Sequence, residues 1–384
     1  PSRYSLLSGQ YVHQHGGFTN RSTLSPAIDT FPKLLRAAGY KTKAVGKMHF
    51  TPTYLDVGFD EMELSEQDGE GRWDDDYHRF LMQHDLVDRI DLMDQRKEYR
   101  NGAPKSYWDA FGAVVSGLPE KYHSTTWVGD RSIDTLNTWD ASQPHLLMAG
   151  FIKPHHPFDP PAPWHQMYDP DTLTILPGWT EECLAWDYSY SHGYFDNKTL
   201  NIPALKRCMA YYYATISQID HHVGRMIEVL KKKNLYDNTM IIFTSDHGEY
   251  MGFHHMLLKG NYLYDPLAKV PLIIKYPNRV DAGKRSTALV NNIDVTTTIL
   301  HTSNVAPSKS MEGLNLQSDS KGRDIIFSGR TEMMARTKTH KLLLPNRPNL
   351  QSLYFDLAKD PHEKTNLYTE EKYNIVMKYS RSHY

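Results

Sequence analysis

The sequence predicts an α/β fold built on a large, mostly parallel sheet between helices, followed by a small α+β domain with an antiparallel sheet. Three observations predict it. Helical stretches run into short, continuous apolar stretches, the pattern of strands covered on both faces by crossover helices. The apolar stretches stop abruptly at polar residues able to do chemistry. From about residue 319 onward, strand-like runs follow one another without intervening helices.

The N-terminal stretch to Tyr40 is polar and turn-rich, then helical over Ala27–Ala38, with Leu34 and Leu35 on the apolar face and Gly39 as C-cap. Lys41–Val45 reads as a short strand leading into Gly46-Lys47-Met48-His49. From Asp56 to Trp127 the pattern is weak, with acidic clusters such as Asp74, Asp75 and Asp76, and reads as excursions carrying short helices. A helix over Thr125–Trp139 precedes the apolar strand His145–Ile152, which the prolines of Lys153-Pro154-His155-His156-Pro157 terminate. Residues 160–200, rich in Pro, Tyr, Trp and Asp, read as surface loops. Pro203–Lys232 is a long amphipathic helix, with Leu205, Met209, Tyr212, Ile216, Ile219 and Val223 at helical spacing. It leads into the strand Met240–Thr244, which ends at Ser245-Asp246-His247-Gly248; Val270–Tyr276 is a further strand of the same kind. Arg323–Arg330, Glu332–Leu344 and Leu353–Asp360 read as the strands of the second domain, and a terminal helix completes it. The expected division is residues 1–318 and 319–384.

Composition narrows the function classes. Hydrophobic residues make up 40% and charged residues 23%, ordinary for a soluble globular protein, and the formal net charge of −2 gives no global basic field for nucleic acid. The two cysteines, Cys183 and Cys208, exclude a disulfide framework and fit no zinc spacing. No apolar run approaches the ~18–20 residues of a membrane span.

In open α/β sheets ligands bind beyond the carboxyl ends of the strands. Lys47 and His49 follow the first predicted strand, His155 and His156 the second, and Asp246 and His247 the third; Lys259 lies in the loop after that. Singly, each admits a bland reading: Gly-Lys-x-His as a solvated turn, Pro-His-His-Pro as a rigid loop. Together they suit anion chemistry. Hydrolysis of a sulfate or phosphate ester places charge on non-bridging and leaving oxygens, which positioned cations and a metal stabilise while a general acid protonates the leaving group. Arg3, Lys47 and Lys259 are the candidate cations, and His49 and His155 the proton carriers. Asp246 beside His247 suits calcium, magnesium or manganese better than structural zinc.

These motifs resemble the sulfatase family of the alkaline-phosphatase-like superfamily. Pro1-Ser2-Arg3-Tyr4-Ser5-Leu6-Leu7-Ser8-Gly9 is similar to the family signature Cys/Ser-x-Pro-Ser-Arg-x-x-Leu-x-Ser/Thr-Gly without its first two positions. Gly46-Lys47-Met48-His49, Pro154-His155-His156-Pro157, and Thr244–Glu249 with Gly252, His254, Lys259 and Asp265 resemble further family elements in order. So does the C-terminal Leu353–Leu357 with Asp360-Pro361-His362-Glu363. The resemblance implies an alkaline-phosphatase-like sandwich and a formylglycine nucleophile made from the signature Cys or Ser. Arg3 and Lys47 would hold the aldehyde hydrate and the sulfate. His49 would take the proton that lets the intermediate collapse, His155 and Lys259 would bind sulfate and help protonate the departing alcohol, and Asp246 and His247 would bind a metal, usually calcium.

The nucleophile would lie just upstream of Pro1, and the first strand, with two more acidic ligands, would lie there too. The expectation is therefore an N-terminally truncated sulfatase, inactive and poorly folded as the fragment 1–384. The complete protein would act on an aryl or carbohydrate sulfate ester and would need a formylglycine-generating or anaerobic sulfatase-maturating enzyme as partner. It would be extracytoplasmic: periplasmic, secreted or lysosomal. Two alternatives stay open: a phosphonate monoester or phosphodiester hydrolase of the same superfamily, and a catalytically dead anion- or glycan-binding protein. The aromatics of residues 160–200 would either stack on sugars or pack the loops onto the core.

Overall fold

The computed structural model describes residues 1–67, 74–329 and 332–371; the predicted terminal helix lies outside them. A three-stranded parallel sheet has the order β2–β1–β3, formed by β1 (Lys41–Gly46), β2 (Glu61–Leu64) and β3 (His145–Gly150). The register pairs Gly46 with Gly150, so the carboxyl ends of β1 and β3 lie level. β2 escaped the sequence pattern because Glu61 and Glu63 mask its apolar residues. Its edge position explains them, since both carboxylates meet Lys43 on β1, at 3.1 and 2.5 Å.

The helices follow their caps. α1 is Ser2–Ser8, and α2 is Phe31–Ala37, which starts later than predicted because Thr30 is the N-cap, its hydroxyl accepting from the Lys33 amide. α3 (Ser124–Thr138) packs along α4 (Ile202–Lys232), whose start is set by Asn201 accepting from the Ala204 amide at 3.0 Å. α5 (Asn292–Thr302) was invisible in the sequence, because Thr296, Thr297 and Thr298 depress helix propensity. Tertiary structure overrides this: Asn291 and Asp294 form a reciprocal capping box, and Ile293, Val295 and Leu300 are buried where α5 meets α1.

β4 (Ile241–Thr244) pairs with β5 (Leu272–Lys275), and here the topology departs from the expected parallel continuation. The two run antiparallel, with Thr244 opposite Leu272. The intervening chain contains only a one-turn helix, Asp265–Ala268, too short for the crossover that a parallel pair requires. Phe243 and Ile273 remain 40% and 65% exposed, so this pair leaves an apolar face open.

A four-stranded antiparallel meander, β6 (Ile326–Gly329), β7 (Met333–Arg336), β8 (His340–Leu344) and β9 (Leu353–Asp356), forms the C-terminal sheet. Its Ile326, Met334, Leu343 and Phe355 share a core with Tyr250, Phe253, Met256 and Tyr264 from the loop after β4. Buried ions tie the same parts together. Asp265 takes Arg336 through both oxygens at 2.9 and 2.8 Å and Lys341 at 2.9 Å, and Lys341 reaches Glu363 at 2.9 Å.

Residues 160–200 are more than surface loops, since the short helix Ala185–Tyr190 delivers a fully buried Asp187. The carboxylate of Asp187 lies 3.0 Å from His254 Nδ1 and accepts from the Tyr264 hydroxyl at 2.8 Å, while His254 Nε2 lies 2.8 Å from the His362 carbonyl. His254 thereby joins three chain segments. His254→Ala leaves a buried carboxylate and a carbonyl short of donors, and is expected to cost about 3–5 kcal/mol of stability. Urea denaturation midpoints check this; an unchanged midpoint would show that water replaces the ring.

Candidate active site

Two glycines bring the strand ends together. A Cβ on Gly46 would lie 2.1 Å from the Gly150 oxygen, and one on Gly150 would lie 2.2 Å from the Lys47 oxygen. Only bare backbone allows that approach, which the Lys47 amide seals by donating to Gly150 O at 2.6 Å. The turn after β1 is then pinned by Glu66, whose buried carboxylate accepts from the Met48 and His49 amides at 3.0 and 2.7 Å. His49 consequently adopts a left-handed φ of 58°. Burial pushes Glu66 up to about 7, against the pull of those amides and of Lys47. Gly248 plays the same part after β4, where a Cβ would meet the Pro266 oxygen at 1.9 Å.

Every predicted site residue lines one open cleft of about 2880 Å³: Arg3, Lys47, His49, His155, Asp246, His247 and Lys259. Arg3 projects from α1, whose first turn is held by Asn292 donating to Ser2 O and Oγ at 3.1 and 3.0 Å. Its guanidinium pairs with Asp246 Oδ2 at 2.8 Å. Burial alone would raise the Asp246 pKa, but Arg3, His247, Lys47 and Lys259 outweigh it and hold the carboxyl well below the usual carboxylate range. The buried Lys47 ammonium donates to Gln67 Oε1 at 2.9 Å; desolvation, reinforced by Arg3 and Lys259, lowers it to about 8.

Across the cleft, His155 Nδ1 lies 2.6 Å from the His156 carbonyl. A carbonyl only accepts, so Nδ1 carries the proton and Nε2 is a bare lone pair. Lys259 Nζ lies 2.6 Å from that nitrogen and donates to it. Burial, then the neighbouring His156 and Lys259, lower the His155 pKa well below the usual histidine range. Burial lowers Lys259 as well, against the pull of Glu249 and Asp246. Behind them, His156 Nδ1 sits 2.6 Å from the buried Asp94, whose other oxygen accepts from the Tyr107 hydroxyl. Gln67, Glu66 and Asp94 were missed from the sequence: all come from the weakly patterned tract before Trp127, where nothing in spacing distinguishes them.

His247 presents one ring nitrogen beside Asp246. Its Nδ1 donates to Gly248 O at 2.8 Å, leaving Nε2 free at 3.7 Å from Asp246 Oδ2. An ionised carboxylate and an open imidazole nitrogen fit a divalent cation. Among the described residues, however, no group of three or more His, Cys, Asp or Glu gathers at one point, so these two form a partial set against the 6–8 oxygens calcium takes. The aromatics of residues 160–200 are absent from the cleft wall. Trp179 packs on His255 with ring centroids 4.4 Å apart, and Trp186 donates to the Tyr264 hydroxyl at 2.9 Å. These two tryptophans pack the loops onto the core.

The Sulfatase family model matches residues 1–305. The chain belongs to the sulfatase family. As a member it is a sulfuric ester hydrolase. It is 30% identical to an arylsulfatase of Clostridium perfringens, covering 99% of this chain and 82% of the relative. Among solved structures it resembles a protein in complex with its substrate D-glucosamine-2-N,6-O-disulfate, with a TM-score of 0.73 and 21% identity over 98% of this chain and 85% of that one. The phosphonate monoester hydrolase of Silicibacter pomeroyi gives a TM-score of 0.78 at 22% identity, over 100% of this chain and 84% of that one. At such identities the structural likenesses establish the alkaline-phosphatase-like sulfatase fold. No helix among the described residues is long and apolar enough to cross a membrane.

Proposed function

We propose that the protein hydrolyses sulfate esters of aryl alcohols or sugars, with its anion held between Arg3 and Lys47 on one wall and His155 and Lys259 on the other. The observation that carries this reading is the convergence of three cations and two histidines, from a helix, two strand ends and a loop, on one cleft. Each cation about 4 Å from an anionic oxygen contributes roughly 4 kcal/mol at an effective dielectric of 20. A formylglycine encoded upstream of Pro1, matured by a formylglycine-generating or anaerobic maturating enzyme, would supply the nucleophile. A divalent cation held by Asp246 and His247, calcium by family expectation, would neutralise sulfate charge.

The chain's own residues handle the proton. Lys259 is the donor nearest His155 Nε2, and the two together hold a proton that a departing alkoxide can take. His49, on the opposite turn, is assigned the proton abstraction that frees sulfate. The resemblance to a protein bound to a disulfated glucosamine supports a sulfated carbohydrate as substrate, and family membership supports an extracytoplasmic location. Treating the complete gene product with an aldehyde-reactive probe, alongside ion-chromatographic detection of sulfate released from an aryl sulfate, tests the reading. No aldehyde and no sulfate would leave a dead anion-binding protein.

A pH dependence follows from Lys47. Its ammonium deprotonates at about 8 in the free site, so affinity for inorganic sulfate and kcat/KM are both expected to fall as pH rises through about 8. A bound anion favours the ammonium, so the corresponding limb in kcat moves to higher pH. Steady-state rates across the alkaline range check both limbs.

A further inference from the structure

Two walls of the cleft are joined by a single neutral side chain that no motif contains. Gln67 is 1% exposed. Its Oε1 accepts from Lys47 Nζ at 2.9 Å, and its Nε2 donates to the His156 carbonyl at 2.8 Å and to Asp91 Oδ1 at 3.2 Å. The same carbonyl accepts from His155 Nδ1 at 2.6 Å and from Gln95 Nε2 at 3.3 Å. The orientation of the amide is forced. Flipped, its NH2 would face the Lys47 ammonium, donor against donor, and its oxygen would face a carbonyl and a carboxylate.

The geometry assigns Gln67 as a positioning residue that couples the anion-holding Lys47 to the proton-delivering His155 through the His156 carbonyl, and this rests on the sulfatase reading for what those two residues do. A continuous chain results: Lys47 to Gln67, Gln67 to the His156 carbonyl, that carbonyl to His155 Nδ1, and His155 Nε2 to Lys259. Amide neutrality is essential to it. An apolar side chain would strand the Lys47 ammonium and leave the His156 carbonyl to His155 Nδ1 and the longer contact from Gln95. A carboxylate would still accept from Lys47, but would turn its second oxygen on the His156 carbonyl and on Asp91. Gln67, like His155 further along the chain, accepts at one end and donates at the other.

Two variants separate the ends without needing turnover. Acetic anhydride labels Lys47 as the neutral amine, and diethyl pyrocarbonate labels His155 at its bare nitrogen; peptide mass spectrometry reads both. In Gln67→Leu, Lys47 labelling is expected to rise on the order of tenfold, the loss of one hydrogen bond to a charged group, and His155 labelling should rise several-fold. In Gln67→Glu His155 labelling should again rise, but Lys47 labelling should fall, because a carboxylate acceptor favours the ammonium. A His155 rate unmoved in Gln67→Leu, or identical patterns in the two variants, would overturn the coupling. In the complete gene product, Gln67→Leu should slow an alkyl sulfate, whose leaving group needs a proton, about tenfold more than 4-nitrophenyl sulfate; equal slowing would mark a merely structural role. A wild type that turns over no sulfate ester would defeat the sulfatase reading and leave the labelling outcomes intact.

Discussion

Lys259→Ala in the complete gene product is expected to lower kcat/KM for phenyl sulfate about 10²–10⁴-fold, the range that general acids contribute. Lys259 is the donor to His155 Nε2, and His155 holds its other nitrogen's proton on the His156 carbonyl. Without Lys259, Nε2 keeps a lone pair where a departing alkoxide needs a proton. The loss should shrink as the leaving group becomes more acidic, because a nitrophenolate departs unassisted. Measuring the variant against a series of substituted phenyl sulfates checks this: a steeper dependence on leaving-group acidity than in wild type is expected, and an unchanged slope would remove Lys259 from proton delivery.

Lys47→Met should give a loss of similar size with a different signature. Lys47 is buried behind the strand-end glycines, and its charge faces the shared anion site together with Arg3 and Lys259. Removing one preoriented donor to a transition-state oxygen costs about 10²–10³ in rate. If Lys47 acts on sulfate oxygens and not on the alcohol, as proposed, the loss should be the same for good and poor leaving groups. Inhibition by inorganic sulfate should weaken in parallel, and the alkaline limb near pH 8 should disappear. Retention of that limb in Lys47→Met would assign it to another group.

How much of this was legible before the structure depended on where the physics resides. Lys41–Val45, His145–Ile152, Met240–Thr244 and the helix to Lys232 were readable because apolar periodicity and caps are local. The elements missed were those whose stability is tertiary: β2, with glutamates paired to Lys43, and the threonine-rich α5 held against α1. The antiparallel β4–β5 pairing depended on the compactness of the intervening loop, which composition does not express. At the site, Arg3, Lys47, His49, His155, Asp246, His247 and Lys259 could be named because strand ends and motifs mark them. Gln67, Glu66 and Asp94 could not, since their importance lies in contacts across the fold: 20 residues from Gln67 to Lys47, 89 to His156.

The central claim is that this cleft is built for sulfate. The direct measurement is kcat/KM of the complete gene product on 4-nitrophenyl sulfate and on 4-nitrophenyl phenylphosphonate, side by side under the same conditions. The account predicts the sulfate ester to be the faster substrate, with Lys47→Met lowering that rate. Faster turnover of the phosphonate would contradict it and make this chain a phosphonate monoester hydrolase on the sulfatase fold.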